Sequence, residues 1–170
     1  ILPDEELEKM TDLVIRPVLK HLAAKGHPFV GVLYAGLMMT ADGPKVLEYN
    51  VRFGDPECQP LLSRLDSDLL SIMLAAVKGE LSPALSRFTP NSAVGVVITA
   101  EGYPGSYEKG MPIDGIEDAE KLPDVVVFHS GTKIADGRLV ASGGRILCVT
   151  ALGDDLASAR DKAYEGVSRI

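Results

Sequence analysis

The residues best suited to chemistry lie in one stretch, VLEYNVRFGDPE, which runs from position 46 to position 57. We predict a strand that passes into a charged loop and then a helix. Residues two apart on a strand share a face, so Glu48, Asn50 and Arg52 are expected to point the same way. A carboxylate, an amide and a guanidinium on one face do not form a hydrophobic core. This face is therefore the first candidate for a binding site.

The residue types of this face fit a metal ion and an anion. Glu and Asn offer hard oxygen ligands of the kind that Mg²⁺ takes together with phosphates and water. Arg52 can bind a carboxylate or a phosphate through two parallel hydrogen bonds. Gly54 allows a sharp turn, after which Asp55 is predicted to cap a helix that begins at Pro56. A solvated strand face with a salt bridge is the alternative interpretation.

A β-hairpin is predicted to position these side chains. Residues 30–40 form its first strand, Ala41-Asp42-Gly43 its turn and residues 45–52 its second strand. A helix over residues 4–24 precedes the hairpin and is kinked or divided at Pro17. A second helix over residues 66–78 is apolar on nearly every side, which predicts a buried helix.

The second half of the chain is predicted to be rich in strands. Residues 79–91, with two prolines and weak periodicity, indicate a linker between a unit at 1–78 and a small domain at 92–170. Strands are expected at 93–99, 125–134, 138–140 and 145–151, with a hairpin turn at 135–137. Asp154 is predicted to cap a final helix that the end of the chain truncates. The fold class is α+β.

Composition and charge exclude several classes of protein. Of the 170 residues, 46% are hydrophobic and 24% are charged, which is typical of a globular protein. A net charge of -7 without a basic stripe argues against nucleic-acid binding, and no apolar run approaches the length of a membrane span. The two cysteines, Cys58 and Cys148, form no CxxC motif and indicate a reducing, cytoplasmic compartment. The chain begins on Ile1 and ends inside a helix, so we expect a fragment.

Several motifs together resemble one enzyme family. Leu47-Glu48-Tyr49-Asn50 followed by RFGDPECQ at 52–59 closely resembles the signature of the phosphoribosylamine–glycine ligases, also called glycinamide ribonucleotide synthetases. Further similar segments are GVLYAGL at 31–37, GYPG at 102–105, HSGT at 129–132, GGR at 143–145 and VTA at 149–151. The likeness covers nearly all of the chain, and the RFGDPE element is specific within the ATP-grasp superfamily.

The resemblance implies a fold and a reaction. The chain would be the last part of an ATP-grasp core, an antiparallel sheet with helices, followed by a small β-rich carboxy-terminal α/β domain. The implied enzyme joins glycine to 5-phosphoribosylamine with ATP, through an enzyme-bound glycyl phosphate, in de novo purine biosynthesis. The amino-terminal domains of the same protein would be partners of this segment, which is expected to be inactive alone.

The resemblance also implies roles for individual residues. Glu48 and Asn50 would hold Mg²⁺ or Mn²⁺, and Leu47 would contact ATP. Arg52 would be catalytic, and the substrate-binding residues would be Arg52, Asp55, Pro56 and Glu57. Residues 30–40 contain no acidic side chain, so a second metal is less well supported than in other ATP-grasp enzymes. Another ATP-grasp ligase or carboxylase, and a non-enzymatic docking module, are the alternatives.

Overall fold

The computed structural model describes residues 3–170, which form two compact units. The first unit contains the chain up to residue 54 and residues 68–85, and the second contains residues 55–67 and 86–170. No helix among the described residues is long and apolar enough to cross a bilayer.

A helical run opens the first unit. Helix α1 (Asp4–Met10) leads into a π-helical stretch (Thr11–Ile15), and α2 (Arg16–Ala24) follows. The predicted division near Pro17 is confirmed. Pro17 is the second residue of α2, and the π-helical stretch, where the hydrogen-bonding pattern changes, ends two residues before it.

The predicted hairpin is present with shorter strands. Strand β1 (Tyr34–Thr40) pairs antiparallel with β2 (Gly43–Asn50) around the expected turn. Asn50 pairs with Tyr34, and the ladder ends there. The prediction that β2 extends to Arg52 is therefore wrong, because its partner strand supplies no further pairing residue.

Helix α4 (Leu69–Lys78) follows the predicted position, but its predicted burial is wrong. Asp68 caps it by accepting a hydrogen bond from the Ser71 N–H at 2.7 Å. Leu70 and Val77 are 63% and 77% exposed. A helix that is apolar on all sides is buried only where protein covers every side. The described residues, 3–170, do not cover all sides of α4.

The hydrophobic core of the second unit is built around one strand. Strand β7 (Arg145–Gly153) lies between β3 (Ser92–Thr99) and β4 (Val125–His129) in an antiparallel sheet. Helices α3 (Cys58–Ser63) and α6 (Leu156–Val167) both pack on β3 and β7. The short helix α5 (Ile116–Ala119) contacts β4 and α6. The largest fully buried side chains all belong to β7: Leu147, Cys148, Val149 and Thr150.

The predicted strand at 125–134 is two strands in different sheets. After β4 the chain bends at Ser130-Gly131 and continues as β5 (Thr132–Ala135), which pairs with β6 (Arg138–Ala141). A Cβ at Gly131 would lie 2.6 Å from the Arg145 carbonyl oxygen, so close backbone packing places the break there. The predicted turn between β5 and β6 is confirmed, with positive φ at Asp136 and Gly137.

The cap of α6 is displaced by one residue from its predicted position. Asp155, not Asp154, accepts a hydrogen bond from the Ser158 N–H at 2.7 Å. We expect Asp155→Ala to lower the free energy of unfolding by about 1 kcal/mol, because a helix N–H loses its acceptor. Asp154→Ala is the matched control, and chemical denaturation followed by circular dichroism measures both. Equal losses in the two variants would contradict the assignment of the cap.

The division of the chain into 1–78, 79–91 and 92–170 remains a prediction, which proteolysis tests. Residues 79–88 are exposed, and the 3₁₀ turn Pro83–Leu85 is their one helical turn. We expect trypsin to cut first after Lys78 or Arg87, because exposed loop backbone reaches a protease most easily. First cuts within residues 92–170 would contradict this division.

Candidate active site

The side chains of Glu48 and Asn50 lie together at the end of β2. The Asn50 amide Nδ2 donates a hydrogen bond to Glu48 Oε1 at 2.9 Å, as expected for residues two apart on one strand face. Glu48 is exposed and Asn50 is half-buried. Among the described residues, neither side chain makes another hydrogen bond. The amide oxygen of Asn50 and the second carboxylate oxygen of Glu48 can therefore serve as ligands.

This pair of ligands fits a hard divalent cation that binds together with phosphates. Within residues 3–170, no group of three or more His, Cys, Asp or Glu side chains is placed to hold a metal. One carboxylate and one amide oxygen would leave most coordination positions to phosphate oxygens and water, as is usual for Mg²⁺ in nucleotide sites.

Gly36 on β1 lies directly opposite Glu48, a position at the site that the sequence alone did not predict. A Cβ at position 36 would lie 3.3 Å from Cγ of Glu48, tighter than most contacts of this kind. The missing side chain therefore leaves room for the Glu48 carboxylate beside the strand. The signal in the sequence is a glycine inside a strand, which often marks a close approach.

We expect Gly36→Val in the full-length protein to lower metal-dependent activity about tenfold, because the new side chain displaces Glu48. The melting temperature should change little, since valine favours an extended backbone. Met38→Val, at an exposed position on the same strand, is the control. Titration of activity with metal ion measures the effect, and equal metal dependence in both variants would contradict the role of Gly36.

Leu47, the residue predicted to contact ATP, is the extra residue of a β-bulge. Gly36 pairs with Glu48 while Leu37 pairs with Val46, which leaves Leu47 without a partner in the ladder. Its side chain is 65% exposed. Bulges commonly redirect side chains next to active sites. A prediction based on alternating residues assumes a regular strand and therefore misses a bulge.

Arg52 lies beyond the strand that carries the metal-ligand candidates. It sits in an exposed bend, and its Nη1 donates a hydrogen bond to the Phe53 carbonyl oxygen at 2.8 Å. The prediction that Arg52 shares a strand face with Glu48 and Asn50 is therefore wrong, because β2 ends at Asn50. One hydrogen bond leaves most of the guanidinium donors able to bind an anion.

Asp55, Pro56 and Glu57 form a turn in the second unit, and α3 begins only at Cys58. The prediction that Asp55 caps a helix starting at Pro56 is wrong. Asp55 is instead bound by Arg145, whose Nη1 lies 2.5 Å from the Asp55 carbonyl oxygen and 3.3 Å from its Oδ2. The N-cap of α3 is Glu57, so Asp55 lies two residues before the cap position.

Arg145 belongs to the GGR segment at 143–145, and the sequence alone predicts no site role for it. A hydrogen bond with Tyr103 raises the pKa of the Arg145 guanidinium. Burial opposes this shift, and the Asp55 carboxylate adds to it.

The two cysteines carry thiols whose pKa values are raised. Burial raises the pKa of the Cys148 thiol, with a further contribution from Asp55. Cys148 is buried and Cys58 is half-buried, and burial raises the pKa of Cys58 as well, which favours neutral thiols.

Two family models match the chain. The model described as "Phosphoribosylglycinamide synthetase, ATP-grasp (A) domain" matches residues 1–58, and the one described as "Phosphoribosylglycinamide synthetase, C domain" matches residues 93–170. The first match contains the Glu48–Asn50 pair, Arg52 and the turn after it. The second contains the sheet around β7.

Similar proteins carry names that agree with these models. Phosphoribosylamine–glycine ligases of Rhodopirellula baltica and Vigna unguiculata are 51% and 49% identical over 100% and 98% of this chain. A trifunctional purine biosynthetic protein of Gallus gallus is 48% identical over 96% of it. The chain spans 39%, 55% and 16% of the lengths of these three proteins.

Solved structures share the fold. The crystal structure of phosphoribosylamine–glycine ligase from Thermotoga maritima is 31% identical, with a TM-score of 0.83 over 99% of this chain and 41% of that one. N5-carboxyaminoimidazole ribonucleotide synthetase from the same organism is 16% identical and shares the fold alone, with a TM-score of 0.66 over 99% of this chain and 42% of its own. The expected α+β fold, with an antiparallel ATP-grasp sheet and helices, is confirmed. This chain therefore belongs to the phosphoribosylamine–glycine ligase family of the ATP-grasp superfamily.

Proposed function

We propose that this chain forms the carboxy-terminal part of a phosphoribosylamine–glycine ligase that makes glycinamide ribonucleotide, ADP and phosphate. The observation that carries the proposal is the hydrogen-bonded Glu48–Asn50 pair at the end of a strand, with the RFGDPE element beginning two residues after Asn50. The substrates are glycine, 5-phosphoribosylamine and ATP, and the pathway is purine biosynthesis. The remaining length of the relatives would supply amino-terminal domains, so this segment alone should not turn over.

The proposed reaction has two displacement steps. An oxygen of the glycine carboxylate attacks the γ-phosphorus of ATP, which releases ADP and forms glycyl phosphate. The amine nitrogen of phosphoribosylamine then attacks the carbonyl carbon of glycyl phosphate, releases phosphate and loses a proton. Phosphoryl transfer of this kind depends on positioning and charge stabilisation more than on covalent help from the protein.

We assign the metal-ligand role to Glu48 and Asn50. Their two oxygens would hold Mg²⁺ or Mn²⁺, and such a cation, when bound, neutralises negative charge on phosphate oxygens. The hydrogen bond between the two side chains fixes their relative position before any ligand arrives. Gly36 leaves the space that the Glu48 side chain occupies.

We assign substrate contacts to the loop that follows β2. Arg52 would bind the carboxylate of glycine or the transferred phosphoryl group with its planar guanidinium. Asp55 or Glu57, around Pro56, would accept hydrogen bonds from a substrate amine. The exposed Leu47 would lie against the nucleotide, where an apolar side chain can cover the base.

Phosphate release by the full-length protein tests this function. We expect release that requires ATP, glycine and phosphoribosylamine together, with each omitted in turn as a control. Release that requires a different carboxylate or bicarbonate would favour another ATP-grasp ligase or carboxylase. The absence of any nucleotide-dependent turnover would favour a docking module.

A further inference from the structure

We propose that Arg145 is a positioning residue that holds the Asp55–Pro56 turn in its substrate-binding geometry. Asp55 lies in the loop to which the proposed function assigns substrate contacts, and the inference rests on that function. Arg145 lies 90 residues further along the chain, at the first position of β7, and belongs to the same unit. No signal in the local sequence connects the two residues.

The contact between Arg145 and Asp55 engages the backbone as well as the side chain. Nη1 of Arg145 donates to the Asp55 carbonyl oxygen at 2.5 Å and lies 3.3 Å from its carboxylate. The hydrogen bond to the main-chain carbonyl restrains the path of the chain, and the ion pair keeps the carboxylate next to the guanidinium. Both contacts are made by the same nitrogen, so one end of the guanidinium holds the main chain and the carboxylate of Asp55 together.

The backbone around Arg145 is itself held on both sides. The Gly144 carbonyl oxygen accepts a hydrogen bond from the Ala100 N–H at 2.8 Å, and the Arg145 carbonyl oxygen accepts one from the Gly131 N–H at 2.8 Å. Arg145 thus projects from the fixed end of the central strand of a packed sheet. A group anchored in this way can define the position of a turn.

Tyr103 packs beside the start of β7, next to Arg145. Its ring packs so closely on Gly144 that a Cβ at position 144 would lie 2.2 Å from Cδ2 of the tyrosine. Interaction with the Tyr103 side chain is the largest cause of the raised pKa of the Arg145 guanidinium. The small residue before Arg145 therefore leaves room for the Tyr103 ring, which explains the glycine at position 144.

The exposure of the pair separates a positioning role from a stabilising one. The side chains of Arg145 and Asp55 are 37% and 57% exposed. Ion pairs with this much contact with water contribute little to stability. A small displacement of a substrate-binding group, in contrast, reduces turnover strongly. Substitution of Arg145 should therefore reduce activity strongly and change the melting temperature little.

The experiment compares Arg145→Gln and Arg145→Lys with Arg138→Gln in the full-length enzyme. Arg138 is the matched control, because its guanidinium pairs with Asp114 at 3.4 Å on the surface of the same unit. We expect Arg145→Gln to lower kcat/KM about tenfold to 100-fold, Arg145→Lys to lose less, and Arg138→Gln to match the wild type. The melting temperature of Arg145→Gln should fall by no more than about 2 °C.

Amide hydrogen exchange across residues 53–58 supplies a readout that does not depend on turnover. We expect faster exchange in Arg145→Gln than in the wild type and no change in Arg138→Gln. Lower activity with unchanged exchange would overturn the proposal, because Arg145 would then act on the substrate itself. Kinetics and exchange equal to those of Arg138→Gln, or a collapsed melting temperature with intact kinetics, would also overturn it. If the wild-type enzyme itself lacks ligase activity, the proposed function fails, while the exchange experiment still decides whether Arg145 orders the turn.

Discussion

Replacing Glu48 by Gln, or Asn50 by Leu, in the full-length enzyme is expected to abolish ATP-dependent ligation and leave the fold intact. Each change removes one of the two protein oxygens that we assign to the metal ion. Loss of an outer-shell partner of a metal ligand already costs about tenfold to 100-fold, so loss of a direct ligand should exceed 100-fold. Phosphate release with all three substrates measures the effect.

The controls for this prediction separate ligand loss from unfolding. Glu80→Gln makes the same carboxylate-to-amide change at an exposed site in the same unit and should keep wild-type activity. Because Glu48 is exposed and Asn50 half-buried, the melting temperatures of their variants should stay close to that of the wild type. Near-normal phosphate release in both variants would remove the metal assignment.

Replacing Arg52 by Lys is expected to reduce kcat/KM for glycine or phosphoribosylamine by about tenfold to 100-fold. Lysine keeps the positive charge but loses the planar donors that bind a carboxylate or phosphoryl group at two points. Arg52 is exposed, and its observed bond goes to the neighbouring Phe53 carbonyl oxygen. The free energy of unfolding should therefore change by less than about 0.5 kcal/mol.

A structural role for Arg52 predicts the opposite pattern. In that case the melting temperature of Arg52→Lys would collapse while the remaining folded enzyme kept its substrate kinetics. Thermal denaturation and steady-state kinetics on the same preparation distinguish the two. Arg16→Lys, which changes an exposed arginine in the first unit that pairs with Asp12 and Glu8, is the control for the general effect of this substitution.

Local patterns in the sequence predicted the hairpin and the pairing of Glu48 with Asn50. An Asp-Gly turn and alternating residues act over a few positions, so the order of residues determines both the turn and the shared strand face. The turn at Asp136 and Gly137 was predicted for the same reason. The RFGDPE element identified the family because its residue types and spacing are specific.

Contacts between distant parts of the chain decided the features that the sequence analysis missed. The bulge at Leu47 depends on the register between two strands, and the break at Gly131 depends on close packing against the Arg145 backbone. The expected burial of α4 failed because an apolar helix becomes buried only where other protein covers it.

The sequence by itself determined which residue types lie next to one another on β2 and in the loop that follows it, and therefore the kind of ligands that this region can bind. Only the tertiary structure decided that Asp55 is held by Arg145 instead of capping α3. A helix cap can be predicted from neighbouring residues, whereas a contact across 90 residues arises only when the sheet brings the start of β7 beside the turn. The physical reason is that the donor of this charge-assisted hydrogen bond lies on a distant strand, outside any local pattern, and that α3 begins only at Cys58, beyond the reach of an Asp55 cap.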